Sequence, residues 1–231
     1  MMKFKQFLFT VGLLSLFGFT WPIFRSYPNH ETAGTRLWIA TEIRLLKSEA
    51  RGIDDKVLRL AVTAYANAVK HGYVGKQILT VIDYSKNSLT KRLWVFDMKR
   101  NRTLFNTWVS HGKNSGGVNS TSFSNHNGSL KSSVGVFQTE STYTGKNGYS
   151  LRLYGLEHGI NDAAYSRAIV MHGAPYVNGN RAKNNTGLGR SWGCPAVDPH
   201  LAKPIINTIK DKSIIFAYGN DRRWLSSSRF L

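Results

Sequence analysis

This chain of 231 residues has one cysteine, Cys194, and is short of acid, with 13 aspartates and glutamates against 31 lysines and arginines. A single cysteine excludes an internal disulfide framework. Its thiol is then intermolecular, buried as a small apolar group, or reactive. Metal-ligand spacing is also missing. Cys194, His158, His172 and His200 lack the short paired spacing of a zinc site, so no metal is expected. The G-x-G in "GLGRSWG" has no strand close before it and no Lys-Ser/Thr after it, which argues against a phosphate loop. Papain-like and caspase-like cysteine signatures are absent, and there is no internal repeat.

The acid deficit leaves a net charge of +18. Such a charge speaks to partners rather than to fold. The basic residues are scattered, as in Lys99 with Arg100 and Arg102, or Lys210 with Lys212. No recognition helix or ribonucleoprotein strand accompanies them, so nucleic acid is not an expected partner. An anionic cell envelope fits better.

The first residues, "MMKFKQFLFTVGLLSLFGFTWPIF", place Lys3 and Lys5 before an uncharged run from Phe7 to Phe24. This pattern predicts a signal peptide or membrane anchor over residues 1–26. No A-x-A cleavage site follows, and the leading lysines favour a cytoplasmic N-terminus. The rest of the chain is expected to be exported, to the periplasm or envelope, with inner-membrane anchoring as one form. About 200 residues then remain, enough for one well-cored domain.

Residues 27–36 read as a linker and 37–74 as a helical lead-in. Leu37, Ile39, Ile43, Leu45 and Leu46 can share one helical face. Asp54 can cap a second helix carrying Val57, Leu58, Ala61, Val62, Tyr65, Ala68 and Val69, with Gly72 ending it. From Gln77 the texture changes. "ILTVIDYS", "KRLWVFDM", "NRTLFNTWVSHG", "VGVFQTES", "SLRLYGLE", "RAIVMHGA" and "SIIFAYG" are strand candidates. "KNSGGVNSTSFSNHNGSLKSS" is a loop long enough to be functional or mobile. "DPHLAKPIINTIK" predicts a helix with Asp198 as N-cap and Pro199 first. Helices first and then many short strands predict a mainly β sandwich or barrel over 75–220, followed by a C-terminal tail over 221–231.

The lone thiol sits in a tight, glycine-bordered turn, "GRSWGCPAV". A reactive thiol needs a base, because at its ordinary pKa of about 8.5 only a few per cent is thiolate near neutral pH. His172 ends the apolar strand "AIVM" and precedes Gly173, which would hold it rigidly beside a cleft; a satisfied structural histidine is the other reading.

"IVMHGA" followed by "GRSWGCPA" resembles the L,D-transpeptidase catalytic domain family (YkuD-like), in its branch with Ser-x-Gly-Cys-Pro-Ala in place of Ser-His-Gly-Cys. The likeness extends over roughly residues 55–220. It takes in "ILTVIDYSKNSLTKRLWVFDM", "WVSHGKNSG", "SSVGVFQT", "LRLYGLEHGIND" and "LAKPIINTIKDKSIIFAYG". The resemblance implies Cys194 as nucleophile and His172 as the base paired with its thiol. Gly173 stands where a serine is common, so a main-chain oxygen there would orient the imidazole. Ser191 and Gly193 flank the nucleophile, and the amides of Gly193 and Cys194 are candidates for an oxyanion hole.

The chain also departs from the common pattern. Trp192 replaces the second histidine. Pro195 and Ala196 replace an aliphatic residue and a polar one, and Arg190 is the nearest cation that could hold substrate in its place; a solvated loop arginine is the alternative. Trp192 and Tyr176 are further candidate substrate contacts. Asn184 and Asn185 read as polar loop, Arg167 as a structural ion partner and His111 as scaffold.

The implied activity is transfer on peptidoglycan stem peptides. Cys194 would be acylated at the stem's third residue and pass the acyl group to an amine, without cofactor. Use of water as acceptor, an L,D-carboxypeptidase, is the alternative. A catalytically idle wall-binding protein is the alternative of another class.

Overall fold

The computed structural model describes residues 34–184 and 187–231. The predicted N-terminal segment and nearly all of the linker lie outside the described residues, as does Asn185. Among the described residues, no helix is long and apolar enough to cross a membrane.

Among the described residues, two helices come first: α1 (Arg36–Glu49) and α2 (Asp55–Lys70). Thr35 caps α1 through the Trp38 amide, and Asp54 caps α2 through the amides of Lys56 and Val57. Gly72, at φ +73, follows the end of α2 in the left-handed conformation that favours glycine. The α2 pattern holds, burying Val57, Leu58, Ala61, Val62, Tyr65 and Ala68. The face expected for α1 holds only in part: Leu46 is buried and Ile39 and Ile43 pack against the core. Its fully buried residues are Trp38, Glu42 and Leu46, while Leu37 is 78% exposed. The aromatic ring of Trp38, stacked on Tyr65, selects the face that turns inward.

Eight strands follow among the described residues: β1 (Ile78–Asp83), β2 (Leu93–Asp97), β3 (Arg102–Thr107), β4 (Gly135–Gly145), β5 (Gly148–Gly155), β6 (Val170–Gly173), β7 (Ala196–Val197) and β8 (Ile214–Tyr218). They form one sheet in the order β3-β2-β1-β8-β4-β5-β6-β7. Most neighbours are antiparallel; β1 with β8 and β6 with β7 are parallel. Just past β3, Ser110 bridges Ala196 of β7, so the two edges nearly meet in a barrel-like closure. The mainly β class expected from the sequence is the observed one.

The sheet is covered on both sides. Leu79 and Val81 of β1 and Phe216 of β8 pack with α2. Ile78, Ile82 and Ile215 pack with Ile205, Ile206 and Ile209 of α4 (Pro199–Ile209). Burial on both faces is why β1 and β8 read as continuous apolar runs rather than alternating ones. The last eleven residues are not a tail. They form α5 (Arg222–Ser227) and bury Trp224 and Phe230 against the α2 side of the sheet. Glu157, just after β5, fastens them by accepting from the Trp224 indole and the Ser228 hydroxyl.

Candidate active site

At the end of the barrel where β6 and β7 pair, a cavity of about 400 Å³ opens, lined by His172, Cys194, Ser191, Trp192, Arg190 and Tyr176. Arg167, Ala168 and Val170 add the wall before and along β6, and Tyr143, Lys146 and Asn147 of the β4–β5 hairpin complete it. None of these residues is acidic.

Short β7 and the bridge to Ser110 fix the turn that carries Cys194. Ser191 builds its inside. Its hydroxyl accepts from the Gly193 amide at 3.1 Å and donates to the Cys194 carbonyl at 2.6 Å. Its main chain is held between the His111 carbonyl and the Lys113 amide. Gly193 has φ +124, and a Cβ there would lie 2.7 Å from the Lys131 carbonyl oxygen, so only glycine fits without displacement. The Gly193 amide is therefore already engaged, unlike the free oxyanion donor expected from the sequence.

The Cys194 side chain is nearly buried, at 9% exposure. Its thiol donates to the Ala168 carbonyl at 3.6 Å and accepts from the Val170 amide at 3.5 Å. Burial pushes its pKa up; the Val170 amide and the Arg167 charge act the other way. His172 is also buried, and burial pushes its pKa down. Its Nδ1–H donates to the Gly173 carbonyl at 2.9 Å, which leaves Nε2 as the acceptor of the neutral ring. His172 and Cys194 thus line one cavity, but no hydrogen bond joins them, because the sulfur is turned onto the β6 backbone. Burial thus pushes both groups toward their neutral forms, the thiol pKa up and the imidazole pKa down.

Gly173 is glycine for a packing reason. A Cβ there would meet Ala202 at 3.0 Å and Pro199 at 3.1 Å, where α4 crosses β6. Arg190 is not a solvated loop arginine. It is half-buried and spends its guanidinium on the carbonyls of Gly116, Gly117, Leu188 and Gly189. Trp192 is 74% exposed at the lip of the cavity, and Tyr176 is half-buried in its wall. Asn184 ends α3 (Gly179–Lys183), outside the cavity.

Arg167 differs from expectation in what it touches. Among the described residues Arg167 has no carboxylate partner; it donates to the carbonyls of Ser124 and Lys131 and to the hydroxyls of Ser129 and Ser133. His111 is a buried acceptor for the Arg92 guanidinium and donates to the Gly116 carbonyl. Its own carbonyl receives the Ser191 amide, so this core pair backs the Cys194 turn. The sequence signal for the Arg167 contacts was the density of serines in the loop before β4. Arg92 carried no signal, since a strand-end arginine ordinarily faces solvent. His158 and His200 are exposed, and no cluster of three metal-ligating side chains occurs among the described residues.

A family model described as the L,D-transpeptidase catalytic domain matches residues 49–218. The chain belongs to this family. Solved structures similar to it include an L,D-transpeptidase from Mycobacterium smegmatis, 14% identical, with a TM-score of 0.39, covering 63% of this chain and 60% of that one. L,D-transpeptidase 3 from Mycobacterium tuberculosis, in complex with a faropenem-derived adduct, is 13% identical with a TM-score of 0.41, covering 63% and 61%. The helical cell shape determining protein Pgp2 from Campylobacter jejuni is 13% identical with a TM-score of 0.43, covering 65% and 50%. The chain thus spans about half to three-fifths of the length of these relatives. No curated protein matches it.

Proposed function

We propose that this protein is a cysteine acyltransferase acting on peptidoglycan stem peptides. The observation that carries the reading is a lone thiol and an imidazole with a free Nε2, both in the wall of one acid-free cavity. Rotation about the Cys194 Cα–Cβ bond releases the sulfur from the β6 backbone and turns it into the cavity toward His172. The imidazole takes the thiol proton as sulfur attacks the carbonyl of the stem's third residue. The S–C bond forms, the C–N bond to the terminal D-amino acid breaks, and the proton leaves with its amine. With the Gly193 amide taken by the Ser191 hydroxyl, the Cys194 amide is the remaining candidate donor for the transient oxyanion. An amine acceptor then attacks the thioester and the C–S bond breaks, giving a cross-link between stems or a related amide. The cationic surface suits an anionic envelope. The Lys3, Lys5 and Phe7–Phe24 pattern supports export, with the segment 1–26 as signal or anchor.

A carbapenem acylates thiols of this kind, and one solved relative is described in complex with imipenem. Intact-mass analysis should show one carbapenem adduct on the protein and none on Cys194→Ser. An equal adduct on the variant would overturn the assignment. Incubating the protein with sacculi and analysing muropeptides by mass spectrometry separates the outcomes. New cross-links support transfer, shortened uncross-linked stems mark water as acceptor, and no change on either count marks an idle binding protein.

A further inference from the structure

The Cys194 turn leans on a guanidinium that no part of the scheme above uses. Arg167 lies in the segment between β5 and β6, where Ala168, at φ +53, swings the chain into β6. Its Nη1 donates to the Ser124 carbonyl and the Ser133 hydroxyl, both at 2.6 Å. Nη2 donates to the Lys131 carbonyl at 2.7 Å and the Ser129 hydroxyl at 3.1 Å. Every one of these acceptors is neutral and belongs to the serine-rich loop before β4. The same Nη2 lies 3.4 Å from where a Cβ of Gly193 would stand, against the residue preceding the nucleophile. The loop's main chain closes from the other side, since the Ser132 hydroxyl donates to the Gly193 carbonyl at 3.2 Å.

A guanidinium fixed by four hydrogen bonds to neutral groups keeps its full positive charge, and that charge is felt by whatever ionises beside it. We propose that Arg167 is a positioning residue for the nucleophile: held beside Gly193 in the cavity wall, it supplies the positive charge against which the Cys194 thiolate forms. The proposal rests on Cys194 being the acylated residue. It assigns to Arg167 the electrostatic share that a second imidazole at Trp192 cannot provide.

The other groups around the thiol do not supply that charge. Tyr84, behind the turn, and Tyr176, in the wall, are phenols whose ionisation burial opposes. Burial pushes the His172 pKa down, disfavouring its charged form. Arg190 is committed to carbonyls on the far side of the loop, and Lys146 and Tyr143 reach the cavity from the hairpin opposite. Among these, the Arg167 charge is the one that favours ionisation of Cys194.

The test is the pH dependence of Cys194 alkylation by iodoacetamide in the wild type, Arg167→Gln and Arg167→Lys, with thermal melting run alongside. Gln removes the charge; Lys keeps it and gives up the fork. Gln should raise the thiol's apparent pKa by about one pH unit, a roughly tenfold loss of thiolate at neutral pH. Lys should stay close to wild type in that profile while melting lower. A Gln profile that superimposes on the wild type, or a Lys profile displaced as far as that of Gln, overturns the proposal. Should Gln not fold, a displaced profile in folded Lys overturns it alone, and an unmoved one supports it. The carbapenem adduct on the wild type is measured separately. Its absence counts against the acyltransferase reading, whereas its presence with unmoved Arg167 profiles counts against Arg167 alone.

Discussion

The imidazole of His172 donates through Nδ1 to the carbonyl of Gly173, its own neighbour in the chain, at 2.9 Å. A residue that orients its base with its own backbone needs no third side chain. The orienting carbonyl belongs to the last residue of β6, where the close crossing of α4 leaves little room for a Cβ. Nε2 is then the proton acceptor at any pH where the ring is neutral. Burial pushes the His172 pKa below its ordinary 6.5, so the base form persists as the medium becomes mildly acidic. The acid limb of the carbapenem acylation rate should accordingly fall below pH 6.5. His172→Ala should fold normally and lose at least about a hundredfold in acylation at neutral pH, the scale of a positioned general base. His158→Ala, altering an exposed ring, should change little. An acid limb at or above 6.5, or an active His172→Ala, contradicts the assignment.

Every strand but β7, the helix after Cys194 and the mainly β class were legible because apolar runs, capping residues and glycines act locally. Asp198 and Pro199 start α4 where the sequence places it. What was not legible depends on which partner arrives from far along the chain. Trp38 takes the inward face of α1 because Tyr65 is there to meet it. Trp224 is core because Glu157, 67 residues away, accepts from its indole. The sequence pointed to His172 and Cys194 through motif and strand-end position. It did not reveal that the Gly193 amide would be taken by Ser191, or that the thiol would rest on the β6 backbone. Those depend on side-chain rotamers, which carry no periodic signature.

The Ser191 hydroxyl satisfies both the Gly193 amide and the Cys194 carbonyl inside the turn. Ser191→Ala leaves two buried backbone groups without partners. It should cost about 2 kcal/mol, read as a lower melting temperature, and slow acylation because the turn loosens. Gly193→Ala should be harsher, costing more than about 2 kcal/mol, because it combines a left-handed backbone with a Cβ 2.7 Å from the Lys131 carbonyl. A Gly193→Ala protein as stable as wild type would mean the turn differs from the one described.

The C-terminal residues test where the folding unit ends. Truncation after Asn220 removes α5 and with it two fully buried rings, Trp224 and Phe230. Burying each large side chain is worth roughly 1.5–3 kcal/mol, so their joint loss, about 3–6 kcal/mol, is comparable to the lower end of a typical domain's stability of about 5–15 kcal/mol. The Glu157 carboxyl would also lose the Trp224 and Ser228 donors while still accepting from the Val136 amide. The truncated chain should fail to give a cooperative melt. A stable truncation with unchanged melting temperature would restore the reading of these residues as a tail.

Two buried titratable groups should shape stability against pH in opposite directions. Glu42, in the α1–α2 core with Oε1 unpartnered, has its carboxyl raised from 4.5 to about 7 by burial. The folded state therefore holds a proton that the unfolded state gives up, and this contribution is present below pH 4.5 and lost as pH rises through about 7. Replacing the carboxyl by a neutral amide removes the loss, so Glu42→Gln should melt higher than wild type at pH 8 and gain nothing at pH 4. His111 behaves oppositely. Burial first, and the Arg92 and Arg190 charges after it, lower the ring from 6.5 to about 4. The unfolded chain takes up a proton that the folded one refuses, so stability is present above pH 6.5 and lost as pH falls toward about 4, where it levels off. That gap is worth roughly 3 kcal/mol. His111→Gln keeps a donor and an acceptor for the Gly116 carbonyl and Arg92 but cannot titrate. Melting temperatures of Glu42→Gln and the Glu42→Gln/His111→Gln double variant, compared from pH 8 down to pH 4, isolate the histidine. The single variant should fall steeply below pH 6.5, and the double should fall less. Parallel curves would show that His111 is not the buried neutral ring that backs the Cys194 turn.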